Sequence, residues 1–346
     1  MVDVVGGEQL VLDGEISLVS LQKDLPCSRP SRPLSSARSK SSRSNVPLGV
    51  ADGREGLCSL GSFAAPEVER AYARAQELCQ QVGDTPQPCL ILWGLLQFYT
   101  VRTELQTALE LGERLISLAQ SVQDLDILLA AHNRLGTALS YHGELLAACT
   151  HLEPSIALYD PQKHSSRAFF YGTNLKADSL AHLAHVLWLP GYPKQARRRG
   201  DEALTLAQAQ EPLHSFTLAH ISNLIAVVHH LRREERLAQE RAEAGRRLSS
   251  EHGFAAELGR GALRRGWALV VQGQAEEGLA QIRQGLAADQ ATGAEAWRPY
   301  YLALLAEAYG KGGQPAEELR LLTEAACGSV RIGSVLCLVC YSASAG

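Results

Sequence analysis

Methionine occurs in this chain only as Met1, and aromatic residues make up 6% of its 346 positions. A core cannot then rest mainly on stacked rings. It must be aliphatic, and leucine and alanine, both strong helix formers, dominate. No window approaches 18 consecutive apolar residues, so no membrane-crossing helix is expected. An excess of positive charge is missing too: 33 Lys and Arg stand against 37 Asp and Glu, for a net charge of −4. Nothing in that balance favours nucleic acid or an anionic membrane as a partner. Residues 1–20 carry acids and no early basic residue, a poor match to a signal peptide. The eight cysteines are scattered without a disulfide framework, which fits a reduced, cytoplasmic setting. No G-x-x-x-x-G-K-[ST] occurs, so a phosphate cradle with its lysine is absent. Spacing also supports no Ser or Cys nucleophile with a His and an acid. No cofactor is expected, and the chain reads as a non-enzyme.

What is present is a repeat. Residues 266–282 (GWALVVQGQAEEGLAQI) and 306–322 (AEAYGKGGQPAEELRLL) agree in identity or type at six positions, at a constant offset of 40. A period of this size indicates stacked helical hairpins. Each copy has an apolar helix ending at Gly, a short turn, and a second helix opening on paired acids, which suit a helix N-terminus. The turn position recurs at Thr103, Gly143, Gly191, Arg233, Gly273 and Gly313, with spacings of 40, 48, 42, 40 and 40. Five residues later comes a small residue, Ala108, Ala148, Ala196, Ala238 or Gly278, in every copy except the last, which has Glu318. A small side chain there lets two antiparallel helices cross closely.

The ends lack this grammar. Residues 27–47 are rich in Ser, Arg and Pro, with five basic residues and no acid between Arg29 and Arg43, so residues 1–62 read as a disordered N-terminal segment. An amphipathic helix is expected over 66–82 and an N-cap at Thr85 before Pro86. Helix pairs follow at 88–101 with 104–120, 125–142 with 144–159, 176–189 with 193–208, 213–232 with 234–252, 255–272 with 275–291, and 294–310 with 315–325. The extra eight residues of the one long spacing fall between Tyr159 and Lys176 and contain Phe169, Phe170 and Tyr171. Such an insertion is either a binding loop or a hydrophobic seal between neighbouring repeats. Residues 327–346 carry Cys337 and Cys340 as a lone CxxC and read as an irregular tail, without the second cysteine pair that zinc would need. The expected fold is therefore all-α, a right-handed solenoid of about six helical hairpins over 64–326.

Leu135-Gly136, Gly143, Ala148 and Leu152, and again Gly266, Leu269, Gly273, Gly278 and Ile282, resemble the tetratricopeptide-repeat (TPR) pattern, in degenerate form. The stretches 65–75 (APEVERAYARA), 92–99 (LWGLLQFY), 151–161 (HLEPSIALYDP), 265–274 (RGWALVVQGQ) and 298–314 (RPYYLALLAEAYGKGGQ) resemble the C-terminal repeat region of large bacterial AAA/STAND signalling ATPases, often fused to adenylate/guanylate cyclase domains. That likeness spans about 64–325 and implies a sensing, partner-binding repeat arm with the nucleotide chemistry elsewhere. With neither a phosphate cradle nor a cyclase-like pair of metal-binding carboxylates, those activities are not implied for this chain.

In such arrays the first helix of each hairpin lines the concave side. Counting from the Leu-Gly position places Asn133, Thr137, Asp178, His185, His220, Asn223, Arg260, Trp267, Tyr300 and Glu307 inward. Their mix of donors, acceptors and rings suits a peptide groove, with Trp267 partly exposed in it. Asp178, His182 and His185 share a helix face, but no fourth ligand is evident, so they read as solvated or core residues and not as a metal site. His229 and His230 end a helix, where cations favour the dipole. The leading expectation is a non-catalytic interaction scaffold for a protein or peptide partner. The alternative is a small-molecule-sensing repeat domain with a pocket inside the array.

Overall fold

In the computed structural model the described residues are Arg70 and 87–165, 171–210 and 214–332. Among them every element is a helix. The first hairpin is α1 (Gln87–Val101) with α2 (Leu105–Ser121), and the second is α3 (Leu125–His142) with α4 (Leu145–Leu158). A single turn, α5 (Pro161–His164), precedes the third hairpin, α6 (Leu175–Trp188) with α7 (Pro193–Ala209). The remaining three are α8 (Ser215–Leu231) with α9 (Glu235–His252), α10 (Ala255–Val271) with α11 (Ala275–Ala291), and α12 (Arg298–Lys311) with α13 (Pro315–Ile332). No described helix is long and apolar enough to cross a membrane.

The repeat register is set by the turns. All six turn positions read from the sequence are left-handed: Thr103, Gly143, Gly191, Arg233, Gly273 and Gly313 have φ of 63, 86, 89, 58, 88 and 74°. The next residue then donates its N–H to the carbonyl five positions back. These bonds run Glu104 to Tyr99, Glu144 to Leu139, Tyr192 to Leu187, Glu234 to His229, Gln274 to Leu269 and Gln314 to Tyr309, all at 2.9–3.0 Å. That is the helix-ending bond of a Schellman turn, which satisfies an orphan carbonyl and reverses the chain. Thr103 and Arg233 adopt it without glycine's freedom, at roughly 1 kcal/mol each.

Within a hairpin the two helices meet at the small residues. Ala108, Ala148, Ala196 and Ala238 are fully buried. Between α10 and α11 the backbones nearly touch: a Cβ on Gly278 would stand 2.5 Å from the Gly266 carbonyl oxygen. In the last hairpin the exception, Glu318, is accommodated from the other side, because Gly310 on α12 leaves the space that its carboxylate fills.

Successive hairpins pack first helix on first helix, α3 on α6, α6 on α8, α8 on α10 and α10 on α12. The array curls far enough for its ends to touch. The N–H groups of Glu295 and Ala296 both donate to the Val101 carbonyl at the end of α1, at 2.8 and 3.2 Å. Beside them the Trp297 indole donates to the Tyr141 hydroxyl of α3 at 3.0 Å.

Two boundaries differ from the sequence reading by more than two residues. Helix α12 starts at Arg298, not 294, with Pro299 in its first turn, and residues 294–297 form the connection that reaches α1. Helix α13 runs on to Ile332, so residues 327–332 are helical and not part of an irregular tail, and Ser329 is buried; the rest of the expected tail lies outside the described residues. The expected helix over 66–82 apart from Arg70, the Thr85 cap, all of residues 1–62, the CxxC at Cys337 and Cys340, Phe169 and Phe170 lie outside the described residues.

The small-residue crossings give a direct test of register. Ala148→Leu should overpack the α3–α4 crossing and lower stability by about 1–3 kcal/mol in a denaturant melt, whereas Gln284→Leu, on the exposed face of α11, should change it by no more than about 0.5 kcal/mol.

Candidate functional site

Two acids occupy equivalent places. Asp178 lies in the first turn of α6 and Glu257 in the first turn of α10, where the helix dipole favours negative charge. Each is held by an asparagine from the preceding first helix. Asn133 on α3 donates its Nδ2 to Asp178 Oδ2 at 3.0 Å, and Asn223 on α8 donates its Nδ2 to Glu257 Oε2 at 2.8 Å. His220 on α8 stands between the two acids. Its Nε2 is 3.2 Å from Asp178 Oδ1 and its Nδ1 is 3.0 Å from Glu257 Oε1. Arg134 closes on Asp178 at 3.3 Å, and Arg260 on Glu257 at 2.7 Å. A line of alternating charge thus joins α3, α6, α8 and α10 across four hairpins.

Burial opposes charge at Asp178, His220, Glu257 and Arg260, and the neighbours decide the outcome. For His220 the two carboxylates prevail and push its pKa up to about 9, so both ring nitrogens donate at neutral pH. Glu257 is held well below the usual carboxylate range by Arg260 and His220. Asp178 is likewise held down, by the facing imidazoles and Arg134. His182, one turn beyond Asp178, goes the other way: burial outweighs the attraction of Asp178 and lowers its pKa to about 4. A neutral imidazole and an imidazolium therefore share one carboxylate. Asp289 on α11 is pushed up by burial although Arg260 Nε lies 3.5 Å away.

These groups face a cavity of ≈ 90 Å³. Asp178, His182 and His220 line it with Arg134, Glu257 and Arg260, and Tyr141, Phe216 and Trp297 supply its apolar wall. At about 10–15 Å³ per water it holds a few waters or one small solute. Trp297 is fixed in its wall: the ring donates to Tyr141, stacks edge-on against His185 at 5.8 Å and lies under the Arg264 guanidinium at 6.0 Å.

The residues expected in an open groove divide into two buried clusters. Asn133, Thr137, Asn223 and Arg260 belong to the charged line or the cavity wall, and Thr137 and both asparagines are buried. His185 is buried against Trp297, its pKa lowered to about 3 by burial. The second cluster corrects the groove directly. Trp267 is 1% exposed, not partly open to solvent. Its ring sits edge-on against His230 at 4.3 Å. The Tyr300 hydroxyl is 3.0 Å from His230 Nδ1. Glu307 accepts from Arg233 at 2.6 Å. The physical reason is curvature: with α8, α10 and α12 drawn together, an inward position faces another helix and not water. His230 is consequently depressed by burial and is not the helix-end cation expected of it, whereas His229 pairs with Glu234 at 2.7 Å. Of the insertion, Tyr171 is buried, tilted against Trp93 at 5.3 Å, and also borders the cavity, so it both seals and lines.

His185 shares a helix face with Asp178 and His182 in the sequence pattern. The structure instead brings His220 from the next hairpin to that pair. Trp297 and Glu257 escaped the sequence reading. A tryptophan two residues before Pro299, breaking the apolar pattern in a ring-poor chain, was the available signal.

Comparison with family models finds no match to the chain, and comparison with curated proteins finds none either.

Two outcomes follow from the site. Trp267→Ala should lower stability by about 3–5 kcal/mol, the loss that follows emptying a buried aromatic site, and a thermal melt of the single variant reads it. For pH, His220 has a folded pKa above its unfolded value, so its contribution is full below about 6.5 and is lost as pH rises through about 9. Metal-free protein should lose stability across that window, by up to on the order of 3 kcal/mol for this shift, and His220→Gln should remove that slope.

Proposed function

We propose that this chain is a non-catalytic sensing domain that takes a small polar ligand into the cavity inside its hairpin array. On this reading the array is a right-handed solenoid of tetratricopeptide type. It serves as the sensing arm of a cytoplasmic bacterial signalling protein of the kind its repeats resemble, and a protein partner reads its state from the outer surface. The observation that carries the proposal is convergence: Arg134, Asp178, His220, Glu257 and Arg260, from four different first helices, meet at one cavity. Charged groups gathered in a buried space with an apolar wall match the chemistry of small-ligand sites. An open peptide groove has less support, because the rings and amides that would line it are buried.

The curl provides the means of transmission. A ligand contacting α3, α6, α8 and α10 together would stabilise the closed arrangement held by Trp297 and Tyr141. It would shift the population only by its preference for that state over a more open one.

A thermal-shift screen of carboxylates, amines and nucleotides, run in excess chelator, tests the reading. A true ligand at 100 times its Kd should add about 2.7 kcal/mol to apparent stability. The effect should vanish in Ala256→Trp, which fills the cavity wall. ATP should give no shift, since no phosphate cradle is present. A screen without a hit, or a hit that persists in the filled variant, would count against the proposal.

A further inference from the structure

We propose that Asp178, His182 and His220 form a site for one divalent transition-metal ion of the zinc type, open to the cavity at its remaining coordination position. Asp178 and His182 are one turn apart on α6, so they project from the same face. His220 approaches from α8. Asp178 Oδ1 lies 3.7 Å from His182 Nε2 and 3.2 Å from His220 Nε2. One ligand atom from each of the three residues lies within 4.8 Å of the others. Atoms bound tetrahedrally to one zinc at about 2.1 Å stand roughly 3.4 Å apart. The two carboxylate–imidazole spacings bracket that value, and the third edge of the triangle, His182 to His220, is within 4.8 Å, so an ion enters once the two imidazoles draw in on it. Two imidazoles and one carboxylate with a vacant position are a donor set that zinc and its neighbours in the first transition row accept.

The surroundings are those of a built site. The remaining nitrogen of His220 faces Glu257 Oε1 at 3.0 Å, the carboxylate–histidine arrangement that fixes a ligating imidazole and raises its basicity. The second oxygen of Asp178 is fixed by Asn133 at 3.0 Å and Arg134 at 3.3 Å, which leaves Oδ1 aimed at the two imidazoles. Asp178 and His182 are both buried, so their placement follows from the packing of α6. In the metal-free chain the His220 Nε2 proton holds the carboxylate; entry of the ion releases that proton to solvent, and the Nδ1–H bond to Glu257 persists. Arg134 and Arg260 weaken the attraction for a cation and make water or an anionic group the fitting occupant of the open position.

The site is separate from the sensing proposal in its test, although it borders the same cavity: the screen above is run in chelator and stands or falls without metal. Chelator-stripped full-length protein is titrated at neutral pH with Zn²⁺ by calorimetry and with Co²⁺ by visible absorption. Nitrogen and thiol competitors exist elsewhere, in the His132–His151 pair at 2.9 Å and in Cys149 and Cys327. The expected result is one ion per chain, with cobalt ligand-field bands and no thiolate charge-transfer band. Affinity should fall at least 10-fold in His182→Ala, fall 10- to 100-fold in Glu257→Gln, and be unchanged in His151→Ala. No stoichiometric binding, a thiolate band, or binding lost in His151→Ala and kept in His182→Ala would overturn the proposal. Should His182→Ala fail to fold by circular dichroism, imidazole resonances of the wild-type protein decide. Zn²⁺ must shift those of His182 and His220 together, and a shift confined to His132 and His151 would refute the site.

Discussion

The structure depends on a charged histidine held between two buried carboxylates. His220 reaches Asp178 on one side and Glu257 on the other, and these belong to the hairpins before and after its own. In a stacked array each hairpin ordinarily touches only its neighbours through apolar faces. Here a polar bridge is laid over that seam, and Arg134 and Arg260 extend it at both ends. Such groups are costly to bury unless every charge is matched. The match requires α3, α6, α8 and α10 to converge at one angle, so the bridge fixes curvature more than it adds stability.

Curvature explains the interior. Because the first helices converge, the connection before α12 lands on α1, and Trp297 packs between Tyr141 and His185. Trp267, Tyr300 and His230 then close over one another below it. On the other side of Trp297 and Tyr141 the charged residues line a small cavity. Its chemistry is mixed, with a neutral imidazole at His182 beside the imidazolium of His220.

The hairpins were legible in the sequence because each turn needs a left-handed residue at a fixed place, and Gly143, Gly191, Gly273 and Gly313 announce it at near-constant spacing. Thr103 and Arg233 could be placed only by that spacing. Helices α3 and α11 have the bounds read from the pattern alone. The site was legible only in part. Helical phase puts His220, Asp178 and Arg260 on the inward side of their helices, and the three line the cavity. Their partners were not legible, because Asp178 and His220 are 42 residues apart and meet only through the offset between neighbouring hairpins. Phase alone also led to Trp267 in an open groove. An inward side chain is exposed only where the array is wide, and width is set by long-range contacts such as Trp297 with Tyr141, 156 residues apart.

The most direct measurement of the central bridge is the protonation of His220 in metal-free protein, read from long-range proton–nitrogen correlations of the imidazole ring across pH. A bridge between two carboxylates predicts that both ring nitrogens carry protons at pH 7 and that the ring titrates near 9, while His182 is neutral over the same range. A His220 ring that is neutral at pH 7, titrating near its ordinary value of about 6.5, would contradict the bridge and with it the cause assigned to the curl of the array.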